Sequence, residues 1–246
     1  MVFAKRKKTE QTAAPPCTAV IAAAGASARM DGEDKLFIEI CGAPVLAHAL
    51  MAYQNCALVN EIIIVVREDN LETAAGVCKA HGIEKAGKVI VGGETRFASV
   101  YNGVFAVSRD AGLIAIHDGA RPCVDGRIIE QAIKAAAEHH AAVPAIPVSS
   151  TVKRAVRGVV TETVSRDDLY EIQTPQVFDA DLIKAALTSA MKNQSGITDD
   201  CMSVEMLGVP VHITEGSRSN IKLTTREDII IAESVLKMLL RGRSTS

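Results

Sequence analysis

The sequence AAAGASARM at residues 22–30 combines small residues with one cation, and this combination suits a phosphate site. Around Gly25 the backbone N–H groups are not covered by side chains, and several such groups can converge on an anion where a strand enters a turn. Arg29 adds a permanent charge whose fork matches phosphate oxygens. No Gly-Lys-Ser/Thr follows, and Ser27 stands at the second glycine position, so the segment is neither a Walker A loop nor a dinucleotide fingerprint. From these residues alone, a simple tight turn is the alternative.

Two further charged residues are candidates for the same site. Lys35 follows Arg29 by six residues across a polar stretch, so the two cations either clasp one polyphosphate or are solvated loop charges. Asp118 follows the apolar run LIAIH, where a parallel sheet presents its ligands, and a carboxylate there can hold Mg²⁺ or a ribose hydroxyl. The neighbouring His117 ends that run, which favours a packed, hydrogen-bonded role over acid–base catalysis.

The elements that must position these residues alternate along the chain. The apolar runs predict strands over Thr18 to Ala23, Glu61 to Val66, Lys88 to Val91, Leu113 to His117, Ala142 to Ile146 and Val209 to Thr214. Helical periodicity predicts helices over Val45 to Asn55, Leu71 to His81, Ala98 to Ser108, Gly126 to His139, Asp179 to Lys192 and Thr225 to Leu240. Strands that alternate with such helices indicate right-handed βαβ units and a largely parallel sheet.

One segment breaks this alternation. Residues 149–164, SSTVKRAVRGVVTETV, are rich in β-branched residues and carry Gly158 between two arms, which predicts a β-hairpin projecting from the α/β body. A two-stranded arm is marginal alone, so we expect it to pack on a second subunit. The alternative is a hairpin folded onto its own domain.

Composition sets the wider limits. The chain has 246 residues, 48% of them hydrophobic, a formal net charge of −2 and a pI near 6.3, so no nucleic acid or anionic membrane partner is expected. Its six cysteines show no metal-ligand spacing, which predicts buried, reduced thiols and a cytoplasmic location. Residues 1–16 are predicted to be a disordered basic tail ahead of a single domain over 17–246. No stretch approaches the roughly 20 apolar residues of a membrane span.

The motifs, taken in order, carry a family resemblance. The opening AAAGASARM…DK…L…G.PVL.H resembles nucleotidyltransferases that join a nucleoside triphosphate to a phosphorylated sugar or alcohol. The later motifs narrow the resemblance to the 2-C-methyl-D-erythritol 4-phosphate cytidylyltransferase family of the non-mevalonate isoprenoid pathway: GGETR at 92–96, IHDGARP at 116–122, QTPQVF at 173–178, TDD at 198–200 and NIKLT at 220–224. The resemblance implies an α/β, Rossmann-like, three-layer nucleotidyltransferase fold with a mostly parallel central sheet and a protruding β-hairpin dimerisation arm.

The resemblance also implies a role for each matching residue on the nucleotide side. CTP and Mg²⁺, or another hard divalent cation, are the implied ligands, with Arg29, Lys35 and Lys222 as the catalytic cations. The nucleotide-binding residues implied are Ala23, Ala24 and Gly25 for the triphosphate, Gly93, Glu94 and Ser99 for the cytosine, and Asp118 and Gly119 for the sugar and metal. For Arg121, a bracing contact with a carboxylate is preferred over a phosphate contact.

On the acceptor side, the resemblance implies a polyol phosphate bound by Thr151, Arg166, Thr174 and Thr198. Thr151 and Arg166 would reach the site of a neighbouring subunit from the arm, which predicts a homodimer with shared active sites. Three alternatives stay open: the methylerythritol phosphate enzyme, a cytidylyltransferase whose acceptor is ribitol 5-phosphate, and a non-catalytic nucleotide-binding protein. Many relatives have other residues at Ser27, Gly119 and Ser150, and Ser219 is also unusual; of these differences, Ser150 bears most on the acceptor.

Overall fold

The computed structural model describes residues 15–25, 34–193 and 196–243. Within these ranges the strands are β1 Cys17–Ala23, β2 Glu39–Ile40, β3 Ala43–Pro44, β4 Val59–Val66, β5 Ala86–Val91, β6 Leu113–Asp118, β7 Ala141–Pro147, β8 Val152–Val156, β9 Val159–Val164, β10 Tyr170–Ile172, β11 Gln176–Asp179 and β12 His212–Glu215. The α-helices are α1 Val45–Gln54, α2 Leu71–Ala80, α3 Arg96–Ala106, α4 Gly126–His139, α5 Ala180–Lys192, α6 Asp200–Glu205 and α7 Arg226–Arg243. Arg29 and Ser27 lie outside the described residues.

An eight-stranded, mostly parallel sheet forms the centre of the fold. Strands β6, β1, β4 and β5 run parallel as neighbours, and β11 is antiparallel to both β6 and β7. On the other side of β7, β12 pairs in parallel. Strands β1, β4 and β6 are nearly continuous apolar runs because helices cover both faces of the sheet.

Each face of the sheet has its own hydrophobic core. One core packs α1, α2, α4 and α7 against the sheet, and the other packs α3, α5 and α6. In α3, a Cβ on Gly103 would lie 2.4 Å from Val20 Cγ1, so the glycine lets this helix approach the sheet closely. The predicted three-layer α/β architecture is confirmed.

The parallel strands bring their carboxyl ends to one edge of the sheet. The register pairs Ala22 of β1 with Asp118 of β6, so the small-residue turn and the carboxylate are direct neighbours. Next to them, β4 ends before Arg67 and β5 ends before Gly92. This edge is where an open parallel sheet binds ligands.

The structure differs from the sequence prediction at the far edge of the sheet. The last strand is His212–Glu215 rather than Val209 to Thr214, because Pro210 has no N–H for a ladder. The short antiparallel strands β10 and β11 and the helix α6 were not predicted. The helix α3 begins at Arg96 rather than Ala98, because the side chain of Thr95 caps it by accepting a hydrogen bond from Ala98 N.

The predicted hairpin is present as the separate sheet β8–β9. Arg157 and Gly158 have φ values of 50° and 82°, and positive values at both central residues of a two-residue turn match the twist of a hairpin. Val156, Val159 and Val160 are more than half exposed, so the arm leaves an apolar surface uncovered within one chain. Its role in dimerisation stays a prediction.

All six cysteines are free thiols, and five are buried, with Cys41 half-buried. Reduced, mostly buried thiols were the prediction, and it is confirmed. Burial, with the nearby Cys56, raises the pKa of the Cys17 thiol to about 12, so this thiol is protonated at neutral pH and chemically inert. Across the described ranges, no helix has the length and apolar character needed to cross a bilayer.

Candidate active site

A pocket of about 240 Å³ opens at the carboxyl edge of the sheet, where open parallel sheets bind small molecules. We call it the first pocket; its described lining residues are Ala22, Ala23, Ala24, Gly25, Lys35, Leu36, Arg96, Ser99, Asp118, Ala120 and Lys222. The pocket gathers seven of the residues predicted for the nucleotide side and its catalytic cations: Ala23, Ala24, Gly25, Lys35, Ser99, Asp118 and Lys222. Asp118 is the one acid among the described lining residues.

Asp118 lies at the centre of a cluster of cations. Its Oδ1 accepts a hydrogen bond from Arg96 Nε at 3.1 Å, and its Oδ2 lies 2.8 Å from Lys222 Nζ and 3.7 Å from Arg121 Nε. Burial by itself raises the pKa of this carboxyl group, but Arg96, Lys222 and Arg121 together outweigh burial and hold the pKa well below its usual value. The carboxylate is therefore ionised throughout the neutral range.

Arg96 joins Asp118 to a second carboxylate. Its Nη1 and Nη2 donate to the two oxygens of Asp200 at 3.0 and 2.8 Å, while its Nε holds Asp118. Asp200 is the first residue of α6, and its side chain is 1% exposed. Burial lowers the pKa of Arg96, but the two carboxylates raise it by more than burial lowers it. The guanidinium therefore stays charged. Sequence reasoning assigned no role to Arg96 or Asp200, although both stand in quoted motifs, GGETR and TDD.

A second pocket, of about 290 Å³, adjoins the first. Its described lining residues are Arg96, Asp118, Arg121, Ile172, Gln173, Thr174, Gln176, Thr198, Asp199 and Lys222. The two pockets therefore share Arg96, Asp118 and Lys222. Two molecules, one bound in each pocket, would therefore come together beside the Asp118 carboxylate and its cations.

The segments that carry the two described lysines are tied together. Lys35 Nζ donates to Leu223 O at 2.7 Å, next to Lys222. Asp34 is held in turn, since its Oδ2 accepts from Asn70 Nδ2 at 2.6 Å and lies 3.4 Å from Arg67 Nη2. The C-terminal end of the predicted phosphate loop is thus anchored both to the Lys222 segment and to the turn after β4.

The turn after β5 packs tightly against the end of β1. A Cβ on Gly92 would lie 2.4 Å from Ala24 Cβ, so only glycine fits at this position. The Ser99 hydroxyl accepts from Gly93 N at 3.1 Å and lies 2.9 Å from Thr95 O, which fixes the turn, and Glu94 is exposed. Because the Ser99 hydroxyl is engaged with backbone groups, its predicted contact with a base stays a prediction.

His117 takes the packed role that the sequence predicted. Its Nε2 lies 3.3 Å from Arg121 O, which can only accept, so Nε2 carries the proton and Nδ1 accepts from the Thr174 hydroxyl at 2.9 Å. The same hydroxyl accepts from Asp118 N at 3.2 Å. This chain of hydrogen bonds fixes the backbone that carries Asp118.

His117 should make the protein less stable in acid. Burial lowers its pKa from 6.5 to about 4, so between these values the unfolded chain binds a proton that the folded chain does not. The free energy of unfolding should fall by about 3 kcal/mol as the pH drops from 6.5 to 4 and then level off for this group. Urea unfolding with a chelator present would measure this. His117→Gln keeps a donor and an acceptor and should flatten the dependence; equal acid loss in both proteins would contradict the prediction.

Arg121 braces the loop after β6, which is the role predicted for it from the sequence. Its Nη1 donates to Asn220 O at 2.6 Å, and Asn220 Nδ2 donates to Thr174 O at 2.9 Å. Gly119 N donates to Ala22 O at 2.9 Å, so this residue joins the β6 loop to β1 without lining either pocket. These bonds hold the Lys222 segment against the loop after β6.

The predicted acceptor residues fall into two groups. Thr174 and Thr198 line the second pocket, although the Thr174 hydroxyl is committed to His117 and Asp118 N. Thr151 and Arg166 lie exposed at the base of the hairpin and line neither pocket, and Arg166 Nη1 donates to Ser149 O. One chain therefore brings together only half of the predicted acceptor set.

Among the described residues, the first pocket offers a metal ion a single carboxylate, that of Asp118. Within residues 15–25, 34–193 and 196–243, no group of three or more His, Cys, Asp or Glu residues could hold a metal ion alone. Mg²⁺ is commonly bound by one or two carboxylates with substrate phosphates completing its shell. Asp118 offers one such carboxylate in the first pocket.

Known proteins are similar to this chain in sequence and fold over most of their length. The family model described as IspD, 2-C-methyl-D-erythritol 4-phosphate cytidylyltransferase, matches residues 17–238. The enzyme of that name from Halalkalibacterium halodurans is 43% identical over 88% of this chain and 95% of its own length. That from Pelotomaculum thermopropionicum is 43% identical over 89% of this chain and 93% of its own.

Solved structures agree with the sequence relatives. The 4-diphosphocytidyl-2C-methyl-D-erythritol synthase of Anaerococcus prevotii superposes with a TM-score of 0.81 at 31% identity, covering 91% of this chain and 97% of that one. The fold and these neighbours place the chain among the nucleotidyltransferases. Within that class, the chain belongs to the 2-C-methyl-D-erythritol 4-phosphate cytidylyltransferase family. The resemblance predicted from the motifs is confirmed.

Proposed function

We propose that this protein transfers the cytidylyl group of CTP to 2-C-methyl-D-erythritol 4-phosphate, giving 4-diphosphocytidyl-2-C-methyl-D-erythritol and pyrophosphate. The observation that carries this proposal is the pair of adjoining pockets that share Arg96, Asp118 and Lys222. A nucleotide in the first pocket and a polyol phosphate in the second would place their reacting phosphates at this shared wall. The identities of the two substrates rest on the family.

The chemistry that follows is a direct displacement. A phosphate oxygen of the acceptor attacks the α-phosphorus of CTP, and the bond from that phosphorus to the bridging oxygen breaks, so pyrophosphate leaves with the electron pair. Negative charge accumulates around the phosphorus in the transition state. Lys35, Lys222 and Arg29 stabilise it as fixed cations, and no covalent intermediate with the protein is needed.

The nucleotide is held by backbone groups as much as by side chains. The N–H groups of Ala23, Ala24 and Gly25 face the triphosphate. Gly119, predicted to contact the sugar, is buried with its N–H bonded to Ala22 O, so its part is to hold the β6 loop against β1. The turn with Gly93 and Glu94, stiffened by Ser99, reads the cytosine edge. Selectivity for cytosine over uracil then depends on hydrogen bonds to the 4-amino group, because a mismatched base leaves a buried polar group unpaired.

Asp118 is the residue that would hold Mg²⁺, or another hard divalent cation, together with the phosphates of CTP. When bound, the ion supplies charge neutralisation at the phosphates. The protein's own contribution is to keep this carboxylate ionised and fixed in place, through Arg96, Lys222 and the backbone bond to Thr174.

Pyrophosphate release tests the function directly. Purified protein with CTP and Mg²⁺ is assayed in parallel with 2-C-methyl-D-erythritol 4-phosphate, with ribitol 5-phosphate and without an acceptor. Turnover should require the methylerythritol phosphate. Turnover with ribitol phosphate alone would overturn the acceptor, and no turnover with either would overturn the activity.

The hairpin supports a homodimer in which each arm completes the partner's site. Thr151 and Arg166 lie at the base of the arm and line neither pocket of their own chain, yet a forked guanidinium suits the terminal phosphate of the acceptor. Exposed valines along the arm supply an apolar surface for the second subunit. The proposal includes a single domain over residues 17–246 with its arm at about 149–164, and a cytoplasmic location.

Mixing two inactive variants tests the shared site. Asp118→Asn and Arg166→Ala homodimers should each be inactive or nearly so. After the two are unfolded and refolded together, half of the dimers are mixed and each holds one intact site, so about a quarter of wild-type activity should return. Sites contained within one chain would gain nothing from mixing, because every chain then carries a lesion.

A further inference from the structure

Arg96 joins the two sides of the site through a single side chain. It is the first residue of α3, directly after the Gly92–Thr95 turn, and Asp200 is the first residue of α6, two residues after Thr198. The two are 104 residues apart in sequence and meet in a two-point contact at 3.0 and 2.8 Å. A third donor, Nε, holds Asp118 at 3.1 Å.

We propose that Arg96 is a positioning residue that fixes the Asp118 carboxylate for the reaction by bridging it to Asp200. This inference rests on the proposed function, because it assigns Arg96 a part in that reaction. Arg96 acts through Asp118: with Nη1 and Nη2 both bonded to Asp200, the guanidinium plane is fixed, and Nε in that plane sets the position of Asp118 Oδ1 relative to α6 and the acceptor side.

The bridge requires an arginine. A guanidinium presents donors in a rigid plane and engages two carboxylates at defined angles, whereas a lysine ammonium is one point charge on a flexible stem. Arg96→Lys keeps the charge that neutralises the buried Asp200, so we expect this variant to fold, but it cannot hold both acids in this geometry. Its kcat should therefore fall although the net charge is unchanged.

A purely structural role makes a different prediction. Arg96→Gln leaves Asp200 buried without its counter-charge, which should lower the unfolding midpoint. Adding Asp200→Asn removes the unpaired charge and lets two amides pair, so the midpoint should recover. If Arg96 only stabilises the fold, activity should recover with the midpoint; if it positions Asp118, activity should stay low.

The experiment measures kcat, KM for CTP and the unfolding midpoint for Arg96→Lys, Arg96→Gln and the Arg96→Gln/Asp200→Asn double variant. We expect kcat to fall roughly 10–100-fold in all three, as for other residues that orient a reacting group. The KM for CTP should change less, because the β1 turn, Lys35 and Ser99 keep their places. Arg127→Gln, an exposed arginine on α4, is the matched control and should behave as wild type.

Several results would overturn the inference. It fails if Arg96→Lys or the double variant retains kcat within about threefold of wild type, or if activity recovers in parallel with the midpoint. It also fails if Arg96→Gln alone keeps the wild-type unfolding midpoint, because the bridge would then not stabilise the fold. If the wild-type protein shows no turnover, that result counts against the proposed function instead. The unfolding midpoints of the Arg96 variants would still test whether the bridge to Asp200 stabilises the fold.

Discussion

Lys222→Ala is expected to lower kcat/KM for cytidylyl transfer by roughly 10²–10³-fold, as the loss of one preorganised charge-stabilising donor does in other enzymes. Lys222 lies on the wall between the two pockets, and its Nζ is held 2.8 Å from Asp118 Oδ2. The ammonium is thus oriented before substrate binds. Its side chain is 40% exposed, so its removal should disturb the reaction far more than the fold.

Initial rates of pyrophosphate release and thermal unfolding would check this expectation together. Lys134→Ala is the matched control, because Lys134 is an exposed lysine with a carboxylate partner on α4, away from both pockets. The control should keep wild-type rates and a similar unfolding midpoint. A loss of less than about tenfold in Lys222→Ala would mean that the transition-state charge is stabilised elsewhere.

Asp118→Asn should also reduce kcat/KM by at least about a hundredfold. The substitution keeps the shape of the side chain but removes the negative charge that faces Arg96, Lys222 and Arg121. An amide can turn its oxygen toward only one of these cations, so the others shift or repel. The variant should in addition need more Mg²⁺ for half-maximal activity, because it loses the carboxylate offered to the ion.

Initial rates of pyrophosphate release over a range of CTP and Mg²⁺ concentrations measure both effects. Asp110→Asn, an exposed acid in the loop before β6, is the control for loss of one negative charge. If Asp118→Asn kept more than about a tenth of wild-type activity with an unchanged Mg²⁺ requirement, the carboxylate would not take part in holding the ion.

The main elements of the fold are predictable because their signals are local. Strands β1, β4 and β6 are largely buried on both faces, so each contains an apolar run that stands out in the sequence. The end of such a run marks the ligand-binding edge of the sheet, and this argument places Gly25 and Asp118 close together. The structure confirms this through the pairing of Ala22 with Asp118.

Contacts between distant segments are not encoded in any local pattern. The bridge from Arg96 to Asp200 depends on α6, a six-residue helix too short for a periodic signal. Similarly, β11 has four residues and lies antiparallel between two strands that are parallel to each other, so its place in the sheet cannot be deduced from alternation. The sequence offered one signal for this bridge: the motifs GGETR and TDD contain an arginine and two aspartates, which could have been predicted to pair.

The residues predicted to bind the acceptor show a second limit of prediction from sequence. The hairpin was predictable, since β-branched residues flank Arg157-Gly158, but a single chain does not reveal what the base of the arm contacts. Thr151 and Arg166 are exposed there and line neither pocket. Their assignment therefore depends on the family and on the mixing experiment.

Gly92 makes the two nucleotide-binding turns inseparable in any redesign. A Cβ at this residue would lie 2.4 Å from Ala24 Cβ and 2.7 Å from Ser99 Oγ. The turn proposed to read the base is thus packed directly on the side chain of Ala24, in the turn proposed to hold the phosphates. Enlarging the base turn to accept a purine would push on the phosphate turn, so a change of nucleobase requires compensating substitutions in both loops.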